Sequence, residues 1–215
     1  MPADTRDRII DTARRLFWEQ GFNATGVAQI LQEAKVRSGS LYYFFPTKDD
    51  LLLAVLEKYK ILLDPEVVRP VFERVTDPIE RVFGILAGYR QLLIQTKYQY
   101  GCPIGNLALE VAQAQPAARK LIAENFTGWR KAIELCLKDA ADRLPRTLDR
   151  EQLSHFVLTT MEGAVMLARS YHSLEAYDAA VQQLRDYFER LLRDRRSGGS
   201  RRRRRADSNR STSRE

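Results

Sequence analysis

Cysteine is scarce in this chain. The 215 residues hold two, Cys102 and Cys136, which form neither a CxxC pair nor a disulfide framework. That excludes a disulfide-built secreted scaffold and fits a reducing cytoplasm. No apolar run approaches the ~18 residues of a membrane span, and the opening MPADTRDRII passes straight into a charged amphipathic pattern rather than a signal peptide. Histidine is equally rare, with only His155 and His172. There is no HExxH, no Gly-rich phosphate loop and no carboxylate pair at useful spacing. An enzyme would have to use Cys102 with His155 or His172, and nothing else supports that. No catalytic residue, metal or cofactor is therefore expected. Strand-like alternation and internal repeats are also missing.

Charge of one sign is confined to one place. The formal net charge is +7, from 35 basic and 28 acidic residues. From Arg193 to Glu215 there are ten arginines against three acids, which leaves 25 of each in residues 1–192. The body is neutral and the whole excess lies in RDRRSGGSRRRRRADSNRSTSRE. A tail with no apolar residue beyond one Ala cannot bury a core, so 196–215 is expected to be disordered. It reads either as an electrostatic arm for DNA or as a solvated terminus.

What is present is helical periodicity. Ile9, Ile10, Ala13, Leu16 and Phe17 form one face of a first helix, with Asp4 as a possible cap and Gly21 as its stop. Thr25 can cap a short second helix with inner face Val27, Ile30, Leu31 and Ala34. Ser38 can cap a third that Pro46 ends. Thr47, with Asp50 three residues on, caps a fourth that runs to about Leu63. Asp64-Pro65 and Asp77-Pro78 break the chain and place Pro at first helical positions. Later helices are expected over about 78–98, 103–114, 116–144, 149–173 and 175–195. The fold class is all-α with about nine helices. An N-terminal unit over 4–64 has a helix-turn-helix at about 27–46, and a larger helical bundle covers 65–195.

Two short helices joined by the turn Lys35-Val36-Arg37, braced by a longer helix, have helix-turn-helix spacing. On the third helix, Leu41, Phe44 and Phe45 share the packing side, while Gly39, Tyr42 and Tyr43 share the other. Gly39 permits close backbone approach. Helix N-termini at Thr25, Ser38 and Thr47 suit phosphate oxygens, and Arg37 and Lys48 add donors. By spacing alone the unit equally fits a helical subdomain with an exposed aromatic patch.

Residues 9–56 resemble the TetR family of bacterial transcriptional repressors. The matching residues are Ala13-Arg14-Arg15-Leu16-Phe17, Gly21-Phe22, Thr25, Ile30, Ala34, Val36, Gly39-Ser40-Leu41-Tyr42-Tyr43-Phe44-Phe45, Lys48 and Leu51. The resemblance implies DNA contacts from Thr25, Arg37, Ser38, Ser40, Tyr42, Tyr43 and Lys48. It also departs from the family pattern. Arg37 stands where a small Ser is usual, Ser38 where Lys, Arg or Pro is common, Phe44 for a frequent Tyr or His, and Lys35 where the turn often has Gly.

One recognition helix makes few contacts, so a homodimer on a pseudo-palindromic double-stranded operator is expected. The stretch LSHFVLTTMEGAVMLARSYH (153–172) is apolar or small almost all round, hence buried on more than one face. Gly163, Ala164 and Leu167, with Leu184, Phe188 and Leu191 on the last helix, are the expected dimer interface, and the resemblance implies the same pairing of the last two helices. The middle helices offer a ligand pocket among Tyr89, Leu93, Cys102, Asn106, Phe126, Trp129, Ile133 and Met161, each of which also fits plain core.

In YGCPIGN, Pro103 at the first helical position makes Cys102 an N-cap, where the helix dipole favours thiolate. A subgroup of the resembled family carries a similar Gly-Cys segment followed by Glu, here GCPIGNLALE. Some of its members respond to electrophiles or oxidants and others to aromatic molecules such as flavonoids. Cys102 thus reads as a reactive sensor or as a pocket-lining residue. The leading expectation is a repressor released by a small-molecule inducer, aromatic or electrophilic, with no membrane partner. The alternative is a helix-turn-helix activator, or a regulator without a ligand.

Overall fold

A computed structural model describes the backbone from Thr5 to Ser211 and side chains to Arg195. Among the described residues every regular element is helical. Helix α1 (Thr5–Gln20) buries the five apolar residues its periodicity selects. The proposed cap at Asp4 lies outside the described residues. Gly21 ends α1 at φ +91°, a left-handed conformation that L side chains rarely adopt. A Cβ there would also strike the Glu110 carboxylate.

Helix α2 spans Val27–Ala34 and α3 spans Ser38–Phe44. Their caps each differ by one residue from the expected ones, later for α2 and earlier for α3. Gly26 precedes α2 and Arg37 precedes α3, both with extended backbone and no side-chain cap bond. The Thr25 hydroxyl is occupied elsewhere: it donates to the Gly21 carbonyl at 2.6 Å. Lys35 closes α2 in the left-handed region, at φ 54°. Leu41 and Phe45 seat the very short α3 on the core, and Pro46 follows its extended C-cap Phe45.

Helix α4 (Lys48–Leu62) opens on the expected capping box. The Thr47 hydroxyl accepts from the Asp50 amide at 3.1 Å, and the Asp50 carboxylate accepts from the Thr47 amide at 3.0 Å. The break expected at Asp64-Pro65 does not occur. The chain widens into a π-helical segment, Leu63–Val68, and continues as α5 (Arg69–Arg74). A wider turn accommodates Pro65, which has no N–H and crowds the carbonyl of an ordinary turn. Counted as one bent rod, α4 to α5 leaves nine rods among the described residues.

Asp77 caps α6 (Pro78–Gln95) through the amides of Ile79 and Glu80, at 2.8 and 3.1 Å. Left-handed Lys97 and Tyr98 then turn the chain, so α6 stops short of the expected 98. Helix α7 covers Pro103–Val111, α8 Pro116–Asp139, α9 Arg150–Tyr171 and α10 Glu175–Ser211. Helix α10 runs on to Ser211, past the point where a disordered tail over 196–215 was expected to begin; side chains from 196 on and residues 212–215 lie outside the described residues. Helix α8 packs on both α4 and α9, and α9 packs on α10. One continuous apolar core thereby joins the N-terminal unit to the bundle. None of the described helices is long and apolar enough to cross a membrane.

Candidate functional site

The short helix α3 divides its rings between core and surface. Leu41 and Phe45 are buried, whereas Tyr42 and Tyr43 are 52% and 81% exposed. Phe44 is intermediate and braces Tyr43 edge-on, with ring centroids 5.0 Å apart. Arg37, Ser38 and Gly39 are exposed and Ser40 is partly so. A Cβ on Gly39 would meet nothing within 4 Å, so no internal contact requires glycine there and the backbone is open to an outside partner. Arg37 through Tyr43, apart from Leu41, make one polar surface of hydroxyls, amides and a guanidinium, suited to phosphate oxygens and base edges.

Two expected members of that surface are placed differently. Thr25 is 1% exposed, held by Gly21 and by the Gln20 side-chain amide at 3.2 Å, so its hydroxyl organises the α1–α2 corner. Lys48 is half-buried. Its ammonium donates to the Phe22 carbonyl at 2.5 Å and lies 4.2 Å from the Phe22 ring centre. Burial pushes its pKa down, which opposes the effect of Asp49 and Glu110. In this state Lys48 ties α4 to the α1–α2 corner.

The bundle holds a cleft of about 980 Å³ between the turn before α7, α7 itself, α8 and α9. Cys102, Asn106 and Phe126 line it as expected. Tyr89, Leu93, Trp129, Ile133 and Met161 do not. They are packed into the core beneath it, with the Tyr89 and Trp129 rings 5.2 Å apart. Their helical spacing marked them as apolar but could not separate a pocket wall from the layer behind it. The lining residues missed in the sequence include Glu162, Met166, Arg169 and His172. A signal for Glu162 was present: it is the lone acid in the stretch 153–172, which is apolar or small almost all round.

Cys102 does cap α7, its sulfur accepting from the Gly105 amide at 3.4 Å. Its acidity runs opposite to the expectation. Burial pushes the thiol pKa up, the neighbouring Glu162 carboxylate adds to the rise, and the Gly105 amide opposes both too weakly. Tyr89 Oη lies 3.7 Å from the sulfur. Cys102 is a buried wall of the cleft. Cys136 is buried in the core with Ile133 and Leu137.

Three of the six expected interface residues also turn inward: Ala164, Leu184 and Phe188 are buried within the chain. Gly163, Leu167 and Leu191 remain at least partly open. Beside them, Phe156, Met166 and Tyr187 expose large apolar surface, and Phe156 meets Tyr187 edge-on across α9 and α10 at 5.9 Å. A hollow of about 550 Å³ lined by Leu153, Phe156 and Tyr187 lies on this same face.

The cleft and the N-terminal unit are physically joined. Trp18 of α1 donates to the Gly101 carbonyl at 2.8 Å, next to Cys102. At the far end of α7, Glu110 accepts from the Asn23 amide at 2.9 Å, in the α1–α2 corner. Gln115 reaches Asp49 of α4 at 3.1 Å.

Comparison with known proteins follows this division. Residues 9–55 match the bacterial regulatory proteins of the tetR family, and residues 78–184 match the tetracyclin repressor-like C-terminal domain. The regulator LmrA of Bacillus subtilis is 31% identical over 169 residues, covering 77% of this chain and 86% of LmrA. This chain belongs to the TetR family. It is a helix-turn-helix transcriptional regulator, and the family and these relatives are regulators rather than enzymes. The repressor DhaR of a Mycobacterium species is 25% identical over 189 residues, covering 87% of this chain and 92% of DhaR. In fold, the TetR regulator resembles a regulatory protein TetR from Rhodobacter sphaeroides. Their TM-score is 0.76 at 20% identity, over 84% of this chain and 96% of that one.

Proposed function

We propose that this TetR regulator is a homodimeric repressor that holds a pseudo-palindromic operator and releases it when a small molecule enters the cleft of α7, α8 and α9. Helix α7 carries the reading. It starts in the cleft wall at Cys102 and ends where Glu110 grips the α1–α2 corner, about 12 Å away at 1.5 Å per residue. A ligand that moves the first turn of α7 also moves the support of the recognition helix. Release then follows if the ligand binds better to the conformation that does not fit DNA. DhaR is named a repressor, which favours the same sign of regulation here.

The operator contacts come from Arg37, Ser38, Gly39, Ser40, Tyr42 and Tyr43. Thr25 and Lys48 act as supports of the corner behind them. The dimer forms through Phe156, Gly163, Met166, Leu167, Tyr187 and Leu191, an apolar face of the kind that marks a protein interface. Fluorescence anisotropy with the DNA upstream of its own gene tests the reading. A preference over random duplex of at least about 10³-fold is expected, with affinity falling steeply as salt rises. Equal affinity for both duplexes would overturn it.

A further inference from the structure

Glu162 is the anomaly of the cleft. Other acids of the bundle find cations: Glu134 takes Arg130 and Lys138, Glu124 takes Lys60, and Glu80 takes Arg185. Glu162 Oε1 is buried and the protein gives it no hydrogen-bond partner. Its other oxygen is pressed against the first turn of α7, where a Cβ on residue 105 would come within 2.7 Å of it. The amides of that turn are already engaged, Gly105 with the Cys102 sulfur and Asn106 with the Cys102 carbonyl. Arg169 also lines the cleft, seven residues further along α9 and so about 10 Å away along the axis, and it donates to Asn106 Oδ1 at 3.1 Å. Burial pushes the Glu162 pKa up, and the Cys102 thiol, a weak donor, only partly offsets this.

An unpaired buried carboxylate costs several kcal/mol unless it is protonated or meets a cation. Here it faces a cleft whose remaining walls include Phe126, Leu158, Val165 and Met166. We infer that the cleft takes an organic monocation, a protonated amine carried on an apolar ring body, with the ammonium paired to Glu162. Rotation about the broad terminal torsion of Glu162 presents either oxygen to the ligand. The rings and methionine cover the apolar body, and Phe126 offers a face suited to a cation's flank. This inference rests on the cleft being the ligand site of the proposed function.

Calorimetric titration of the full-length protein with two isosteric probes tests it. One is 2-naphthylmethylamine, protonated at neutral pH, and the other is neutral 2-naphthalenemethanol. The amine is expected to bind at least about tenfold more tightly, in line with the strength of a charge-assisted hydrogen bond. Glu162→Gln should abolish that preference and leave the alcohol's affinity unchanged. Comparing the probes on the unaltered protein needs no variant, so a folding defect in Glu162→Gln cannot hide the result. Equal binding of the two probes, a preference that survives in Glu162→Gln, or no binding of either would overturn the inference. Operator occupancy is followed in parallel. An amine that binds through Glu162 without displacing DNA would instead sink ligand-driven release and leave the assignment of ligand class standing.

Discussion

Helices α3 and α9 teach opposite lessons about apolar residues. On seven-residue α3 the outward side is polar or aromatic and the inward side is Leu41, with Phe45 just beyond its end. A single polar–apolar boundary therefore tells the two sides apart. On 22-residue α9 almost every side is apolar or small. One side meets the body of the chain, one is open beside α10, and one forms the cleft wall. The burial of α3 is decided within one chain. That of α9, on the proposed function, depends on what a second chain and a ligand add. Variants that separate those partners test the contrast.

The largest effect should come from the inward side of the last two helices. Phe188 is buried and stacks edge-on with Phe83 at 5.5 Å, so Phe188→Ala should cost about 3–5 kcal/mol of unfolding free energy. Leu167 lies two residues after buried Val165 on α9, is 40% exposed, and belongs to the proposed interface. Leu167→Asp should leave the stability of the isolated chain within about 0.5 kcal/mol. It should also weaken dimerisation by two orders of magnitude or more, roughly 3 kcal/mol. Denaturation and analytical ultracentrifugation read the two effects. A Leu167→Asp protein that stays dimeric at micromolar concentration would place the interface elsewhere.

On α3 the same comparison runs over adjacent turns. Leu41→Ala should destabilise the fold by about 2–4 kcal/mol. Tyr43→Ala, at an 81% exposed position, should leave the melting temperature nearly unchanged. Operator affinity should nevertheless fall by about ten- to a hundredfold, the size of one or two lost polar contacts to DNA. If Tyr43→Ala binds the operator normally, the outward side of α3 is not the reading surface.

A smaller effect isolates the link between the two regions. Trp18→Phe removes the bond to the Gly101 carbonyl and should cost about 1 kcal/mol in stability. Because Trp18 is not among the proposed operator contacts, basal operator affinity should hold. The concentration of ligand needed for release should rise, since coupling between sites is itself a free energy. Unchanged release in Trp18→Phe would leave the coupling to the Glu110–Asn23 contact alone.

These outcomes also mark how far the sequence could be read. The helix-turn-helix was legible because its helices are short, each has one apolar side, and Thr47, Asp50 and Pro46 punctuate it. The capping box at Thr47 and the inward Leu41 and Phe45 follow from those signals alone. Pro65 misled because a helix can widen instead of ending. Thr25 misled because its hydroxyl bonds backward to Gly21, a choice that spacing does not encode. In the bundle, periodicity selects Tyr89, Trp129 and Met161 as apolar but does not rank depth. The cleft wall therefore emerged only when α7 and α9 were seen side by side. Glu162 was visible as an isolated acid in a largely apolar stretch, and the absence of a hydrogen-bond partner for its Oε1 is a three-dimensional fact.

Lys35 sharpens the contrast at its smallest scale. It ends α2 at φ 54° with its amide bonded to the carbonyls of Leu31 and Gln32, the geometry of a helix C-cap that glycine adopts without penalty. A side chain in that region costs about 1 kcal/mol relative to glycine. Glycine also loosens the unfolded chain, which takes back part of the gain. Lys35→Gly should therefore stabilise the N-terminal unit by about 0.5 kcal/mol, read as a shift in the denaturant midpoint at constant slope. Lys35 is exposed in the turn just before α3, so a positive charge retained at this conformational cost has a use if it lies near phosphate. The same variant should then lower operator affinity and flatten its salt dependence by about one counterion. A protein both more stable and equally tight on DNA would show that Lys35 contributes nothing to the interface and that the α3 surface begins at Arg37.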